Sequence, residues 1–484
     1  MYNPRKVAFL ELRGNTLGTL HSVLAIEESL NSSISTSGEA PLDSSAIYMS
    51  LKDDFQLTGT PLEVDFRSLV DWVKLGDQFT HQIHPYPAKL IPHIANFFIR
   101  SSVFFQQEKV VLDPFCGSGT VALEASLAGC LPYVADANPL ALLITKVKTK
   151  NYDSAYLTDV LQQIARKCKR YKSAPEIAIV NSHLWYSSER KKALELILRA
   201  VMDIEEVEIR DFFRVCFSVT ARRFSNADPA ISVPVRLKTR PTFSDVTNAR
   251  INSRLTWIEE ASPLGEFVKV SLSNIDRVTA ANFALPSRQS AQIISNDARN
   301  LSSSDFLQDS SSQVPLIVTS PPYGSAQKYI RASSISLNWL GFVEPAKLTT
   351  LEDKSIGREH APAIRKKLYE GELPDTFEDL LIKINARNEL RSFITRQYLF
   401  EMKQALTEMA RVTQKGGHIV LVTGNNQVCE EVLRNDEFTI QTLSSLGLKL
   451  ELSLIDHIKS RGLMTKRNKT ASVISRESVL VFSK

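Results

Sequence analysis

The chain has 484 residues, 43% of them apolar and 23% charged, and Lys+Arg exceed Asp+Glu by 58 − 53 = 5. That composition excludes global disorder and fibrous repeats, and the length suits about three domains or one large domain with insertions. Five scattered cysteines without a C-x-x-C pair exclude a disulfide framework and argue against a structural metal. No apolar core follows the charged N-terminus, and no window approaches the ~18–20 apolar residues that span a bilayer. A soluble, cytoplasmic protein with neither membrane nor metal partner is expected.

In chain order, residues 1–76 read as an N-terminal extension, with a Ser-rich linker at 31–46. The first part of the main domain is expected over 77–150. There, a β-branched strand at 109–113 is stopped by Pro114 and a Gly-rich turn, a helix runs over 121–128 to Gly129, and a second strand covers 133–136. Strand, glycine turn, helix and strand make a βαβ unit, hence a parallel sheet. Further apolar strands are expected at 292–295, 315–319 and 418–423, with a last pair at 448–456 and 478–482. From Asp136 to Ile293 there are 293 − 136 = 157 positions, far more than a crossover needs. An inserted helical and basic domain is therefore expected over 151–288, with helices at 156–171 and 189–204, and the catalytic part over 289–484. The fold class is α/β: a mostly parallel Rossmann-like sheet with a large, mainly helical insertion.

The turn Asp113-Pro114-Phe115-Cys116-Gly117-Ser118-Gly119-Thr120 joins a strand to a helix. Its glycines let the backbone approach a ligand, but no Gly-Lys-Ser/Thr follows for a triphosphate. Asp136, 136 − 119 = 17 residues past the second glycine, stands where doubly wound folds hold ribose hydroxyls. After the strand at 315–319 comes Ser320-Pro321-Pro322-Tyr323. Two prolines cannot continue a ladder, so the chain leaves the sheet at its carboxyl edge. A hydroxyl acceptor, a fixed carbonyl at Pro321 and an aromatic face suit the methylation of an exocyclic amino group on a flipped base. That nitrogen's lone pair is delocalised and must be made to point at the methyl group. The proton released afterwards is expected to leave through solvent.

Together the two motifs resemble those of the class I AdoMet-dependent DNA amino-methyltransferases, which make N4-methylcytosine or N6-methyladenine. The resemblance implies AdoMet as cofactor, held by Asp113, Pro114, Phe115, Gly117, Ser118, Gly119, Thr120, Asp136 and Asn138. It also implies His84, Tyr86 and Lys89 at the methionine end, and Asp297 near the adenine. Asp297 reads equally as a helix N-cap. In that family Ser at the first tetrapeptide position is commoner among cytosine enzymes, so site-specific N4-cytosine methylation by Ser320, Pro321, Pro322 and Tyr323 is expected. The alternatives are N6-adenine methylation of DNA and amino-methylation of an RNA base. Carbon-5 chemistry would need a Pro-Cys nucleophile, and no cysteine follows a proline.

A segment ending in Leu406–Gly417 and followed by the strand at 418–423 resembles the late core of the same class: helix, glycine turn, strand. The motif order, with a large insertion before the tetrapeptide, resembles the group whose target-recognition domain is inserted there. The expected partner is double-stranded DNA, with a cognate restriction endonuclease as a possible companion. DNA contacts are expected from Arg222, Arg223, Arg236, Lys238 and Arg240 in the insertion, and from Lys466 and Arg467 in the late basic loop.

Overall fold

The computed structural model describes residues 42–73, 78–87, 89–106, 108–301, 313–324, 328–358, 372–458 and 476–484. The chain divides into Met1–Asp43 and Ser44–Lys484, and everything below belongs to the second unit. Ten strands occur among the described residues: β1 Leu62–Val64, β2 Val110–Asp113, β3 Leu131–Ala135, β4 Gln292–Ser295, β5 Val314–Thr319, β6 Thr413–Thr423, β7 Asn426–Val428, β8 Glu431–Leu433, β9 Lys449–His457 and β10 Arg476–Ser483.

Uninterrupted apolar runs need cover on both faces. Every residue of β2 and β5 is buried. Alternate side chains enter different cores: Leu112, Ile317, Ile419, Leu421 and Leu480 join one, and Val111, Leu316, Val318, Val420 and Val479 the other. Helix Glu389–Val412 covers the first face, while helices Pro92–Ile99 and Thr120–Leu127 cover the second.

The eight-stranded sheet runs β1-β9-β10-β6-β5-β2-β3-β4, and β7 and β8 form a separate hairpin. Only β10 is antiparallel to its neighbours, β6 and β9. From β2 the chain moves outward through β3 to β4, then returns to lay β5 and β6 on β2's other side. The switch point thus lies between β2 and β5, with their carboxyl ends open to a ligand. This is the class I, Rossmann-like methyltransferase sheet that the motifs imply.

The insertion is helical, comprising Ser154–Arg170, Ser182–Trp185, Ser188–Met202, Val207–Arg223, Asp245–Glu260 and Pro263–Ala284. Its apolar faces share one core with helix Tyr329–Trp339, which follows the tetrapeptide.

Two expectations need correction. The break at residue 76 is misplaced, because β1 pairs in parallel with β9 and Tyr48, from helix Ser45–Thr58, is 1% exposed in the core. The glycine turn after helix Glu389–Val412 is no free loop either. β6 begins at Thr413, and five of its steps (418 − 413) face two of β5 (316 − 314). Gly416, at φ +74°, lets the strand bulge there.

No helix among the described residues is long and apolar enough to cross a membrane.

Candidate active site

Asp113 closes β2 and is buried. It accepts the Thr319 hydroxyl from the end of β5 at 2.6 Å and the Phe115 N–H at 3.1 Å, so it ties the two central strands together at the switch point. Burial pushes its carboxyl up to about 7.

The turn then needs its glycines. Gly117 has φ +47° and Gly119 φ +71°. A Cβ on Gly119 would lie 2.6 Å from Thr145 Oγ1, so its absence lets helix Pro139–Thr149 close on the turn.

Asp136 follows β3 and accepts the Gly117 N–H and the Asn138 N–H, each at 2.8 Å. The carboxylate therefore holds the glycine turn in place while facing the cleft. Desolvation raises it to about 6, against the pull of those two donors. Asn138 caps helix Pro139–Thr149 through the Leu140 N–H and donates its amide to the Tyr86 hydroxyl at 3.0 Å.

These groups line a cleft with about 680 Å³ of empty space, part of it open to solvent. Tyr86, Pro114, Phe115, Gly117, Asp136, Asn138 and Asp297 line it together with Ser320 and Pro322. Asp297 is held in a two-pronged pair with Arg299 at 2.9 Å on each arm. Arg299 in turn reaches the buried Glu401 at 3.2 Å.

The remaining expected cofactor residues lie elsewhere. His84 is buried against the Ser218 hydroxyl at 3.0 Å, and desolvation lowers its imidazole to about 3. Lys89 donates to the His81 carbonyl at 3.0 Å. Ser118 and Thr120 are buried, with their hydroxyls 3.4 Å apart. Among the described residues of the segment around His84, Tyr86 lines the cleft.

The tetrapeptide is anchored from behind. Tyr398 donates to the Pro322 carbonyl at 3.1 Å, Asn426 to the Gly324 carbonyl at 2.8 Å, and Tyr323 to Glu477 at 2.8 Å. Sequence reasoning missed Glu477 and Tyr398, along with Tyr329, Ile330, Lys354, Ser355 and Ile356 in the cleft wall. Ile330 lies in an apolar helix directly after the tetrapeptide, a usable signal; Lys354 and Glu477 carry none.

Arg222 is half-buried, and its Nη2 donates to the Ile231 and Ser232 carbonyls, both at 3.1 Å. Arg223 is exposed but paired with Glu266. Arg236, Lys238 and Arg240 are exposed, while Leu237 between them is buried. Lys466 and Arg467 lie outside the described residues.

Residues 82–177 match the family described as UPF0020, RMKL-like, methyltransferase domain. The chain is 24% identical over 369 residues to the Type II methyltransferase M.MvaI of Kocuria varians, covering 72% of this chain and 78% of that one. These matches support a methyltransferase family. A second relative, the Type II methyltransferase M.MjaII of Methanocaldococcus jannaschii, is 33% identical over 91 residues, 19% of this chain and 17% of its own. The rRNA methyltransferase aviRa from Streptomyces viridochromogenes aligns over 82% of this chain and 87% of its own, at 10% identity. Its TM-score of 0.27 adds nothing to what the strand order says. For a methyltransferase of this fold, AdoMet is the implied methyl donor, and the cleft fits it in donor set. Gly117 leaves room at the wall, and the Asp136 carboxylate retains acceptor capacity beyond its two N–H partners.

Proposed function

We propose that this methyltransferase modifies the exocyclic amino group of a flipped DNA base, with N4 of cytosine the favoured target. One observation carries the reading: Ser320 and Pro322 line the same cleft as Gly117 and Asp136. On this reading the amino group and the cofactor meet in one cleft at the switch point. The relatives named as Type II methyltransferases support DNA as the substrate.

AdoMet supplies the methyl group. The chain's own residues bind and orient. Asp136 takes the ribose hydroxyls, Gly117 leaves the backbone close to the ligand, and Tyr86 and Asp297 line the same cleft. Ser320 and the Pro321 carbonyl accept the two amino hydrogens and set the nitrogen lone pair toward the methyl group, while Tyr323 offers its ring to the base. Ser320 is short and uncharged, which suits cytosine. Nucleoside mass spectrometry of DNA from cells expressing the protein is expected to show N4-methylcytosine. N6-methyladenine alone would move the target base and leave the amino chemistry intact, whereas carbon-5 methylation would overturn both.

Cofactor binding should depend on pH through Asp136. Its raised carboxyl takes up a proton as pH falls through about 6, and a protonated carboxyl offers the ribose fewer acceptors. Affinity for AdoMet by calorimetry should hold above about pH 7 and fall about tenfold near pH 5, one unit below that value. Asp136→Asn should bind more weakly and flatten the dependence. A wild-type affinity independent of pH would remove Asp136 from the ribose.

The DNA path is placed over the exposed strip Arg236, Lys238 and Arg240. Pro234, at its start, borders a second cavity of about 630 Å³, and Ile330 lines both that cavity and the cleft. Arg236→Glu with Lys238→Glu should weaken DNA binding for all sequences. The salt slope should drop by about 0.9 for each phosphate that the variant no longer neutralises. An unchanged slope in the folded variant would put the DNA elsewhere.

A further inference from the structure

Past the strip at 236–240 the chain enters helix Asp245–Glu260, which rests on the protein along one narrow line: its buried residues are Ile251 and Ile258. The second half is anchored. Trp257 stacks on Phe224 at 5.1 Å, and the Arg254 guanidinium lies over the Trp257 ring at 4.4 Å. The first half is fastened to the strip instead. Asn248 accepts the Arg240 N–H at 3.1 Å and donates its amide to the Arg240 carbonyl at 2.9 Å. The Arg240 guanidinium sits 5.5 Å from the centre of the Phe243 ring. Behind them, the Leu237 N–H donates to the Asn226 carbonyl at 2.7 Å and the Asp228 N–H to the Val235 carbonyl at 2.8 Å, so the strip is one edge of a short ribbon.

The outward side of this half carries Asp245, Val246, Ala249, Arg250, Asn252 and Ser253, all exposed. Val246 is 81% exposed, and Arg250, four residues on, shares its side of the helix. Arg214 and Arg223 of the insertion are taken by Asp211 and Glu266, whereas the Arg250 side chain meets no acid and no hydrogen-bond partner among the described residues. A face built to hold phosphates would be cationic throughout. This one sets a cation beside an exposed valine and beside Asp245, whose carboxylate a phosphate repels. The mixture suits base edges. A guanidinium matches the O6 and N7 of guanine, a carboxylate accepts from the cytosine amino group, and methyl groups meet the thymine methyl. The major groove, ~12 Å wide, admits an α-helix. Glu259 and Glu260, exposed at the far end, restrict the contact to the first half.

We propose that helix Asp245–Glu260 reads the target sequence in the major groove, with Arg250 on a guanine, while Arg236, Lys238 and Arg240 hold the flanking phosphates. This rests on the DNA methyltransferase reading and adds the group that confers its sequence specificity. The ribbon leads back to the cleft. The Asn226 N–H donates to the Trp185 carbonyl at 2.8 Å, Trp185 and Pro234 line the second cavity, and that cavity shares Ile330 with the cleft. The pair read by Arg250 therefore lies at a fixed offset from the base that is methylated.

The test uses the full chain with AdoMet on a plasmid library of random sequence, with methylated sites mapped by single-molecule sequencing. Binding to a duplex carrying the wild-type site and to a scrambled one is measured against salt, with thermal melting alongside. The wild type should select a site with an invariant G·C pair besides the methylated base. Arg250→Ala should accept other pairs at such a position, and its preference for the site over the scrambled duplex should fall about 10- to 100-fold. Its melting temperature, AdoMet affinity and salt slope on the scrambled duplex should stay as in the wild type. Arg250→Lys keeps the charge without the fork and should recover little of the preference. Asp245→Ala should relax a different position. Unchanged selectivity in Arg250→Ala would overturn the proposal. So would equal losses on both duplexes with a salt slope lower by about 0.9, which would make Arg250 a phosphate contact. A wild type that methylates DNA at no preferred sequence would overturn it too, and one that methylates no DNA would overturn the reading beneath it as well.

Discussion

Replacing Glu401 by Ala is expected to cost about 3–5 kcal/mol of folding free energy, the usual result of stripping one partner from a buried ion pair. Glu401 is 1% exposed. It receives Arg358 Nη2 at 2.8 Å and Arg299 Nη1 at 3.2 Å, and Gln397 donates to it at 2.9 Å. Arg358 is itself 7% exposed, so the substitution strands a guanidinium in the interior. Denaturant unfolding should show the loss as a lower midpoint with an unchanged slope. Glu401→Gln keeps the shape and one acceptor and should lose less. Because Arg299 also clamps Asp297, the alanine variant should weaken AdoMet binding even where it remains folded. A midpoint within about 0.5 kcal/mol of wild type would show the cluster to be solvent-relaxed.

Ser320→Ala should cut kcat on the order of 10²-fold while DNA and AdoMet affinities change little. The hydrogen bond it removes matters most as the amino nitrogen becomes pyramidal. Single-turnover kinetics with a saturating duplex would isolate the step. A rise in KM with kcat unchanged would make Ser320 a binding group and sink its role in orienting the amine.

What could be read from the sequence was whatever is local. Residues 109–113 and 315–319 are apolar without alternation, which only a strand covered on both faces tolerates, and both became central strands. The glycine turn declared itself because the left-handed backbone at 117 and 119 favours glycine, and Asp136 because one helix and one strand separate it from the turn. Three-residue β1 was invisible: Leu62 and Val64 are too few to show a period, and their partner lies at Leu454 and Asp456. The neighbours of His84 and Lys89 were hidden for a related reason. A Pro-rich segment fixes its own shape but not the neighbour it lands on, and the neighbour for His84 is Ser218, deep in the insertion. Glu477 and Glu401 are ordinary in sequence, and they acquire meaning from partners 154 and 43 residues away.

The insertion shares its core with helix Tyr329–Trp339, and this limits how such a protein can be re-engineered. Trp339, 1% exposed, packs edge-on against Tyr186 and Phe217 and donates its indole N–H to the Tyr186 hydroxyl at 3.0 Å. A graft of residues 154–284 into a related scaffold would leave that tryptophan behind and import aromatic faces with nothing to meet. Hybrids should therefore be cut so that 329–340 travels with the insertion.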